Sequence, residues 1–526
     1  MISLGCAKNL VDSEIMLGSL AEKGIEITQD TDDADVVIVN TCSFIDAAQE
    51  ESVDTILESD AVRKGKQKGQ GLIVSGCLPQ RFKKELPKLL PEVDAFMGID
   101  QVEDIPDIVE QALVHRQHKL AKAKKKKSSK TTKQKVTKKL AELDADKTPT
   151  DEPFVDIATR PQYIPDVNTP RIRLTPKHLT YLKIAEGCNH PCSFCIIPRM
   201  RGSHRSRQQG DIVAEARQLI KEGVKEINLI SQDSTYYGLD LRKDHSRAIA
   251  SPERFTAATN ALPKDATTIC TLLRELNDLR GDFWVRMLYT HPAHWTEELI
   301  TTLRECRKVA KYVDIPLQHI HPVMLQRMRR ETSADYIREL IARIREGVPG
   351  IALRTTFIVG FPGETDAHFE TLLDFIRETQ FERLGVFTYS TEDKTVAGKM
   401  ARQIPDEVKQ MRRALAMAEQ HDIARELSGN MVGKKMKILV EQRATADELQ
   451  TANISSWEHG LIRDEMSEEP AIKGNYLVAR GQSDAPDIDG RVYIKTPARK
   501  DILPPGKFAK VKIIGHTDYD LIAEPV

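Results

Sequence analysis

The sequence predicts an α/β protein made of an amino-terminal parallel-sheet α/β domain, a central partial (β/α)6 TIM-like barrel and a small carboxyl-terminal antiparallel β-barrel that is OB-like. Three observations support this prediction. Strand-like and helix-like segments alternate through most of the 526 residues, as in parallel sheets covered by helices. Three apolar segments near the amino terminus are about 35 residues apart, the length of one βαβ unit. The last part of the chain instead has short strand-like segments separated by Pro, Gly and Asp.

Changes in this pattern place the domain boundaries. The amino-terminal domain is expected at 1–115, the barrel at 174–425 and the terminal β-domain at 428–526. Between the first two lies a Lys-rich segment, 116–150, which we predict to be a flexible linker. Residues 116–139 contain twelve Lys or Arg and no acidic residue, a composition typical of solvated, disordered chain. A flexible spacer is favoured over an RNA-binding arm.

The composition excludes some classes of function for this chain. Lys and Arg total 77 against 78 Asp and Glu, a net charge of -1, so the whole chain lacks the positive charge of a nucleic-acid-binding protein. No apolar stretch reaches the roughly 18–20 residues that span a bilayer, and Met1 leads directly into a strand-like segment. We therefore expect a cytoplasmic protein without a membrane partner. Cysteines in that compartment favour metal or redox chemistry over disulfides, and Cys270 and Cys306, which stand alone, are expected to be buried small hydrophobes.

Each of the three apolar segments in the amino-terminal domain ends in a cysteine: Cys6, Cys42 or Cys77. If the segments are parallel strands, the cysteines lie at one rim of the sheet, where open α/β sheets bind ligands. The sequence therefore predicts a shared metal site. The alternative is three buried strand-end cysteines without a ligand.

Six β/α units are expected in the central domain, fewer than the eight of a closed barrel. Residues 242–267 show little periodicity and are predicted to be a surface insertion. A long helix is expected at 405–427. The predicted strands are 180–185, 226–231, 284–289, 312–315, 354–359 and 383–389.

A compact set of cysteines, Cys188, Cys192 and Cys195, follows the first barrel strand. Catalytic residues of β/α barrels lie on loops at this end of the strands. Three thiolates are one fewer than a [4Fe–4S] cluster normally takes, so one iron would remain open to a ligand. A zinc site completed by His190 is the alternative, although zinc usually takes four ligands with paired CxxC spacing.

Other strand ends carry further candidates. Residues 356–364 form a Gly-rich segment after the fifth strand, which suits either close approach of a ligand to the backbone or a tight β-to-α turn. Gln232, Asp233 and Gln318 are expected at the same mouth of the barrel, and Asp233 is equally a candidate for a helix N-cap.

The compact triad resembles the CxxxCxxC signature of the radical S-adenosylmethionine (SAM) superfamily, including the aromatic residue, here Phe194, before the last cysteine. Residues 356–364 resemble the GxIxGxxE segment of that superfamily, with Thr356 in place of the first Gly. The resemblance implies that the open iron binds SAM and that the reduced cluster cleaves it to a 5′-deoxyadenosyl radical. It also implies cofactor contacts at Phe194, Gln232, Gly360 and Glu364.

Residues 4–14, 39–42, 75–77 and 186–198, followed by Arg201 and Gly202, resemble the radical-SAM methylthiotransferase family, and the terminal domain is similar to its TRAM module. The family implies two [4Fe–4S] clusters with SAM as a further cofactor. One cluster assembles the methylthio group and the other cleaves SAM. The resemblance assigns no catalytic residue beyond the cluster ligands, which are Cys6, Cys42, Cys77, Cys188, Cys192 and Cys195.

Two branches of the family compete. One, the RimO type, methylthiolates the β-carbon of an aspartate in ribosomal small-subunit protein twelve; the other, the MiaB type, methylthiolates an adenosine in tRNA. Residues 5–14, 314–319 and 484–490 look like the RimO type. The last of these segments is rich in Asp, which repels phosphate and would suit a basic ribosomal protein.

The implied partners are therefore ribosomal protein twelve, free or in the subunit, and an electron-donor protein, with no specific nucleic acid and a monomeric enzyme. The tRNA enzyme remains the alternative, as does a non-catalytic iron–sulfur scaffold.

Overall fold

The structure is a computed structural model. It divides into two compact units. Unit 1 contains residues 1–174 and 199–202, and unit 2 contains residues 175–198 and 203–526. The residues that the structure describes are 1–65, 69–128, 152–242, 251–392, 394–444, 449, 454–457, 461–463, 475–495 and 503–526.

Unit 1 is built on a sheet of five parallel strands in the order β1-β2-β3-β4-β5. Its central strands are runs of Val, Ile and Leu buried on both faces, as expected for a parallel sheet covered by helices. The strands are β1 (Ile2–Ser3), β2 (Val36–Thr41), β3 (Gly71–Gly76), β4 (Ala95–Met97) and β5 (Phe154–Asp156). The helices are α1 (Ala7–Glu22), α2 (Asp46–Gly65), α3 (Cys77–Arg81), α4 (Leu86–Leu89) and α5 (Ile105–Ser128).

Helix α5 runs into the segment that the sequence predicts to be a flexible linker. It continues to Ser128, so residues 116–128 are helical rather than irregular. Lys and Ala, which dominate this stretch, both favour helix when nothing else decides the conformation. Residues 129–150 of the predicted linker lie outside the described residues.

Unit 2 begins with six parallel strands in the order β13-β12-β11-β10-β9-β6, which confirms the expected (β/α)6 arrangement. The strands are β6 (Leu179–Lys183), β9 (Glu226–Ile230), β10 (Trp284–Met287), β11 (Val309–Asp314), β12 (Ala352–Val359) and β13 (Arg383–Thr388), with a small pair β7 (Ala185–Glu186) and β8 (Arg205–Ser206) beside them. Helix α6 (Ile197–Met200) begins in residues of unit 2 and ends in residues of unit 1. The other helices are α7 (Gln209–Lys221), α8 (Pro252–Asn260), α9 (Ile269–Asp278), α10 (Glu297–Glu305), α11 (Pro322–Arg327), α12 (Ala334–Gly347), α13 (Asp366–Thr379) and α14 (Asp406–Gly429).

Two of these helices bear on the predictions. Helix α8 lies within the predicted insertion, whose residues 243–250 are outside the described part, and α14 is the long helix expected before the last domain. None of the helices in the described ranges combines the length and apolar composition needed to span a bilayer.

The last domain is a closed barrel of five strands in the order β14-β17-β18-β20-β19. Its strand pairs are antiparallel except for β18 and β20, which are parallel. The strands are β14 (Lys435–Arg443), β17 (Tyr476–Arg480), β18 (Val492–Lys495), β19 (Phe508–His516) and β20 (Leu521–Pro525); β15 (Ile454–Trp457) and β16 (Leu461–Arg463) form a separate pair. The predicted fold class is confirmed.

Two of the three acidic residues in the Asp-rich loop of this barrel are not exposed. Asp484 and Asp489 are buried. The Arg383 guanidinium donates to Asp484 Oδ1 at 3.0 Å, and the Tyr312 hydroxyl donates to Asp489 Oδ2 at 2.7 Å. Arg354 lies on the same carboxylate, with Nε 3.7 Å from Asp489 Oδ1. Asp484 and Asp489 are therefore paired with residues of the β/α strands, which makes them unavailable to a basic partner, whereas Asp487 in the same loop is exposed. Recognition of a basic ribosomal protein by this loop stays a prediction.

A second buried charge cluster joins the β/α domain and the terminal barrel, both of which belong to unit 2. Glu226, the first residue of β9, accepts hydrogen bonds from Arg286 Nε at 2.8 Å and from Arg480 Nη2 at 2.7 Å. Burial alone would raise the pKa of Glu226, but the charges of Arg480 and Arg286 hold it below its usual range. Arg286 also donates to the carbonyl of Gln482 in the terminal barrel at 2.7 Å. The two domains therefore share a desolvated ionic network.

Candidate active site

The compact cysteine triad lies on the loop that follows β6 and β7, at the carboxyl end of the barrel strands, as the sequence predicts. Ser193, inside the triad, fixes this loop because its amide donates to Met328 O at 3.0 Å and its hydroxyl to Arg327 O at 2.7 Å. Arg330 donates from Nη1 to Cys192 Sγ at 3.5 Å. The loop is therefore held by the segment around α11.

The three thiols of this loop are close enough to influence one another. Burial, followed by the charge of Cys192, raises the pKa of Cys195 to about 12. Burial and then the charge of Cys195 raise the pKa of Cys188 well above its usual range. Three thiolates crowded in a site of low polarity need a cation to compensate them, and an iron–sulfur cluster supplies that charge. The donor set therefore fits a cluster held by three cysteines.

Asp233 connects the cysteine loop to two other elements. Its Oδ2 atom lies 3.0 Å from His190 Nε2 and 2.7 Å from His294 Nδ1, while Oδ1 accepts from the Thr235 amide at 3.0 Å. The last bond is the N-cap that the sequence allowed. Although burial opposes ionisation, His294 and His190 lower the pKa of Asp233 well below its usual range. Burial lowers the pKa of His190, but hydrogen bonds to Asp233 and Glu331 raise it to about 9.

His190 is therefore a hydrogen-bonding residue of the loop. Its ring stacks on His291 with centroids 3.5 Å apart and an interplanar angle of 17°. The ring nitrogens of His190, His291 and His294 are close enough to surround a metal ion. The zinc alternative requires His190 to complete a site with the three cysteines. Both of its ring nitrogens face carboxylates, Nε2 at 3.0 Å from Asp233 Oδ2 and Nδ1 at 3.8 Å from Glu331 Oε2, which disfavours His190 as a zinc ligand.

Two of the predicted cofactor contacts are Phe194, which lies inside the compact triad in the sequence, and Gln232, which follows strand β9. Phe194 packs against an apolar cluster that includes Met328, Phe361 and Tyr389. Gln232 donates from Nε2 to Glu186 Oε1, and its buried Oε1 accepts no hydrogen bond among the described residues. An unsatisfied buried acceptor at a strand end is costly unless a ligand donates to it, so Gln232 fits a cofactor contact.

The other two predicted contacts form a turn of the protein itself. Glu364 accepts hydrogen bonds at Oε2 from the amides of Gly360 and of Phe361, the latter at 3.1 Å. Gly360 has φ +70°, and a Cβ there would lie 2.2 Å from Lys409 Cγ, so glycine is required. This is the tight β-to-α turn that the sequence left open. Glu364 Oε1 is buried without a hydrogen bond among the described residues, and the cofactor role of both residues stays a prediction.

The dispersed triad lies in unit 1 at the carboxyl ends of adjacent strands, as predicted. Cys6 follows β1, Cys42 follows β2 and Cys77 begins α3 directly after β3. Gly5 allows the close approach, because a Cβ at this position would lie 2.7 Å from Cys42 Cβ and 3.0 Å from its Sγ. Burial, then the charges of Cys77 and Cys6, raise the pKa of Cys42 to about 12. Three thiolates that repel one another again fit a cationic ligand. The alternative of three buried strand-end cysteines without a ligand is therefore disfavoured.

The sequence did not identify the cationic partner of this triad. Arg201 donates from Nη2 to Asn9 Oδ1 at 2.7 Å and to Cys77 Sγ at 3.3 Å. Although burial raises the pKa of Cys77, the Arg201 charge acts in the opposite direction. The only signal in the sequence was the position of Arg201 directly after the 186–198 segment.

Three family profiles match the chain. The profile described as "Uncharacterized protein family UPF0004" matches residues 1–98. The Radical SAM superfamily profile matches residues 182–376, and the TRAM domain profile matches residues 463–526. The compact triad lies inside the second match, and the dispersed triad lies inside the first.

Three relatives that match over nearly their whole length share one name. The chain is 49% identical over 530 residues to "Ribosomal protein uS12 methylthiotransferase RimO" of Opitutus terrae, covering 100% of this chain and 96% of the relative. Identity to the protein of the same name from Akkermansia muciniphila is 44%, covering 100% and 99%. Identity to that of Pelotomaculum thermopropionicum is 39%, covering 100% and 98%.

Proposed function

Because the chain belongs to the family of ribosomal protein uS12 methylthiotransferases, within the radical SAM superfamily, we propose that its two cysteine triads divide the reaction between them. The chain is an enzyme that uses SAM and a [4Fe–4S] cluster to transfer a methylthio group to ribosomal protein uS12. The observation that carries the proposal is that each unit groups three cysteines, on three adjacent strand ends in unit 1 and on one loop after β7 in unit 2. We propose the β-carbon of an aspartate as the position that is modified.

The compact triad would hold the cluster that binds SAM. When bound, that cluster supplies the open iron that chelates SAM and the electron that cleaves its sulfonium group. The chain provides three thiolates from Cys188, Cys192 and Cys195, and Arg330 donates to one of them. Asp233 holds the loop through His190, and Phe194, Gln232, Gly360 and Glu364 are proposed to surround the cofactor.

The dispersed triad would hold a second [4Fe–4S] cluster. Cys6, Cys42 and Cys77 offer three ligands at one sheet rim, which leaves one iron for a sulfur-bearing group. Cys6 is exposed, whereas Cys42 and Cys77 are buried. With one exposed and two buried ligands, a cluster would lie at the surface of the sheet, where a methyl donor and a protein substrate could reach it.

The remaining features of the enzyme are proposals from the family. We propose that it acts as a cytoplasmic monomer, receives electrons from a donor protein and recognises uS12, free or in the subunit, without specific contacts to nucleic acid. Since Asp484 and Asp489 are occupied within unit 2, substrate recognition is expected to use other residues.

Replacing Cys6 by alanine tests the division of labour. A Cys6→Ala variant is expected to release 5′-deoxyadenosine from SAM at close to the wild-type rate while forming no methylthiolated product. The reason is that Cys6 lies in a different unit from the SAM-cleaving triad. The measurement is chromatographic quantification of 5′-deoxyadenosine and mass analysis of the substrate in the same reaction. Loss of SAM cleavage together with product would contradict separate roles.

Intact-mass analysis of ribosomal protein uS12 tests the function itself. In cells that contain the enzyme we expect a mass increase equal to replacement of one hydrogen by a methylthio group, about 46 Da, and in a deletion strain we expect none; fragmentation should place the change on an aspartate. An unmodified uS12 in both strains would overturn the proposal. A tRNA that loses its methylthio-adenosine on deletion would instead support the MiaB-type alternative, which none of the relatives reported above favours.

A further inference from the structure

The guanidinium of Arg201 lies at the centre of a buried polar cluster beside the dispersed triad. Its Nη2 atom is 2.7 Å from Asn9 Oδ1, 3.3 Å from Cys77 Sγ and 3.5 Å from Asp12 Oδ2. Arg201 is 2% exposed, and Asn9, Asp12 and Cys77 are each 5% exposed or less. A charge this deeply buried is retained only where something compensates it, and here one of its partners is a predicted cluster ligand.

The hydrogen bonds of Cys77 change when the thiol becomes a ligand. In the described part of the chain its side chain has two partners: its Sγ donates to Asn9 Oδ1 at 3.6 Å and accepts from Arg201. A thiolate bound to iron has no proton, so the bond to Asn9 is lost. The bond from Arg201 remains and becomes stronger, because a charged donor then faces a charged acceptor.

The surrounding residues fix Arg201 in this position. Asn9 Nδ2 donates to Thr41 O at 2.8 Å and to Leu4 O at 3.2 Å, which orients Oδ1 towards the guanidinium. Asn9 and Asp12 both lie on α1, within the 5–14 segment that resembles the RimO type. These two residues position the guanidinium, and the guanidinium in turn contacts Cys77.

Hydrogen bonds to the sulfurs and the net charge around a cluster set its reduction potential. A guanidinium remains protonated at every accessible pH, so Arg201 is a constant positive charge in this site. This charge favours the reduced form of a cluster held by the three thiolates over the oxidised form. It also favours the adduct of that cluster with an anion over the cluster alone.

We propose that Arg201 is a positioning residue for the amino-terminal cluster, where its guanidinium hydrogen-bonds the Cys77 thiolate and stabilises an anionic sulfur ligand, hydrosulfide or methanethiolate, on the open iron. The inference rests on the proposed function, because it requires a cluster at the dispersed triad. Arg201 follows Cys195 by six residues. One continuous segment of chain therefore supplies the compact triad and the cationic donor of the dispersed triad.

The test uses the full chain with Cys188, Cys192 and Cys195 replaced by alanine, so that only the amino-terminal cluster can form. This parent protein is reconstituted with iron and sulfide without oxygen, and Arg201→Gln and Arg201→Lys are introduced into it. We expect Arg201→Gln to lower the midpoint potential in a dithionite titration followed by electron paramagnetic resonance. Sodium sulfide should bind about tenfold more weakly, as for loss of one hydrogen bond to a charged group. Arg201→Lys should recover part of both effects, since it keeps the charge without the planar fork.

Arg199→Gln is the matched control, because Arg199 is the same residue type two positions earlier and is exposed. It is expected to leave the potential and the sulfide affinity unchanged. An Arg201→Gln protein that holds its iron and keeps both parental values would overturn the inference. If Arg201→Gln retains no iron, Arg201→Lys decides the question: a shifted potential supports the inference, and parental values overturn it.

The readout separates this inference from the proposed function. Neither uS12 nor SAM is needed, so an inactive enzyme preparation does not affect the result. If the parent protein binds no iron, the amino-terminal cluster and the inference both fail. If the parent protein binds iron and the Arg201 variants behave like it, the inference alone fails.

Discussion

A Glu226→Ala variant is expected to lose about 3–5 kcal/mol of unfolding free energy, the usual cost of leaving buried charges without their partner. Glu226 is fully buried and neutralises Arg286 and Arg480, which are themselves 0% and 2% exposed. Among the described residues, removing the carboxylate leaves the two guanidiniums with one acidic partner, Glu441, which pairs with Arg480. Urea unfolding monitored by circular dichroism measures the loss.

The chain offers a matched control for this prediction. Glu298 pairs with Arg274 at 2.7 Å, the same distance as Glu226 and Arg480, but its side chain is 56% exposed. Glu298→Ala should cost only about 0.2–1 kcal/mol, because solvent screens an exposed pair. Equal losses in the two variants would show that burial does not govern the strength of this network.

The loss should also depend on pH. Because the pKa of Glu226 is lowered from its ordinary value of 4.5 in the folded protein, its contribution is fully present above pH 4.5 and disappears as the pH falls through the lowered value. The difference in stability between the wild type and Glu226→Ala should therefore narrow below pH 4.5. A difference that stayed constant from pH 7 to pH 3 would contradict the sign of this shift.

Replacing Cys195 by alanine is expected to abolish catalysis. The variant should hold about four fewer irons per chain after reconstitution, since two thiolates rarely retain a cubane cluster. Release of 5′-deoxyadenosine should fall to that of a protein-free control. The measurements are iron quantification and chromatography of the SAM products.

Cys270→Ala is the control for this substitution. Burial raises the pKa of Cys270 to about 12, as it does for Cys195, so both thiols lie in a desolvated environment. They differ in their neighbours: Cys195 is surrounded by two further cysteines of its loop, whereas Cys270 packs in the apolar core of unit 2. Cys270→Ala should retain iron and SAM cleavage, and iron loss equal to that of Cys195→Ala would count against a specific ligand role.

Much of this architecture could be predicted because local patterns specify it. The βαβ repeat placed Cys6, Cys42 and Cys77 at one rim, since the carboxyl ends of adjacent parallel strands must meet there. The compact triad was predictable for the same reason, as a loop after a barrel strand. Fold class and family followed from these patterns together with the resemblance of the motifs.

The contacts that the sequence did not reveal are made by side chains far apart along the chain. Arg201 reaches a cysteine 124 residues away, and Arg330 reaches one 138 residues away. The burial of Asp484 and Asp489 could not be predicted because their partners Arg383 and Tyr312 are separated from them by 101 and 177 residues. Charge and composition describe what a loop carries, whereas the tertiary fold decides whether another group already neutralises it.

The buried pairing between the terminal barrel and the β/α strands has a consequence for deletion experiments. A chain that ended before Lys435 would uncover the carboxylate of Glu226 and the guanidiniums of Arg286 and Arg383. Such a truncated enzyme would lose activity because water would reach these buried charged groups, regardless of what the terminal domain binds. Substrate binding by that domain has to be tested by point substitutions on its solvent-facing strands, because removing the domain changes the catalytic barrel as well.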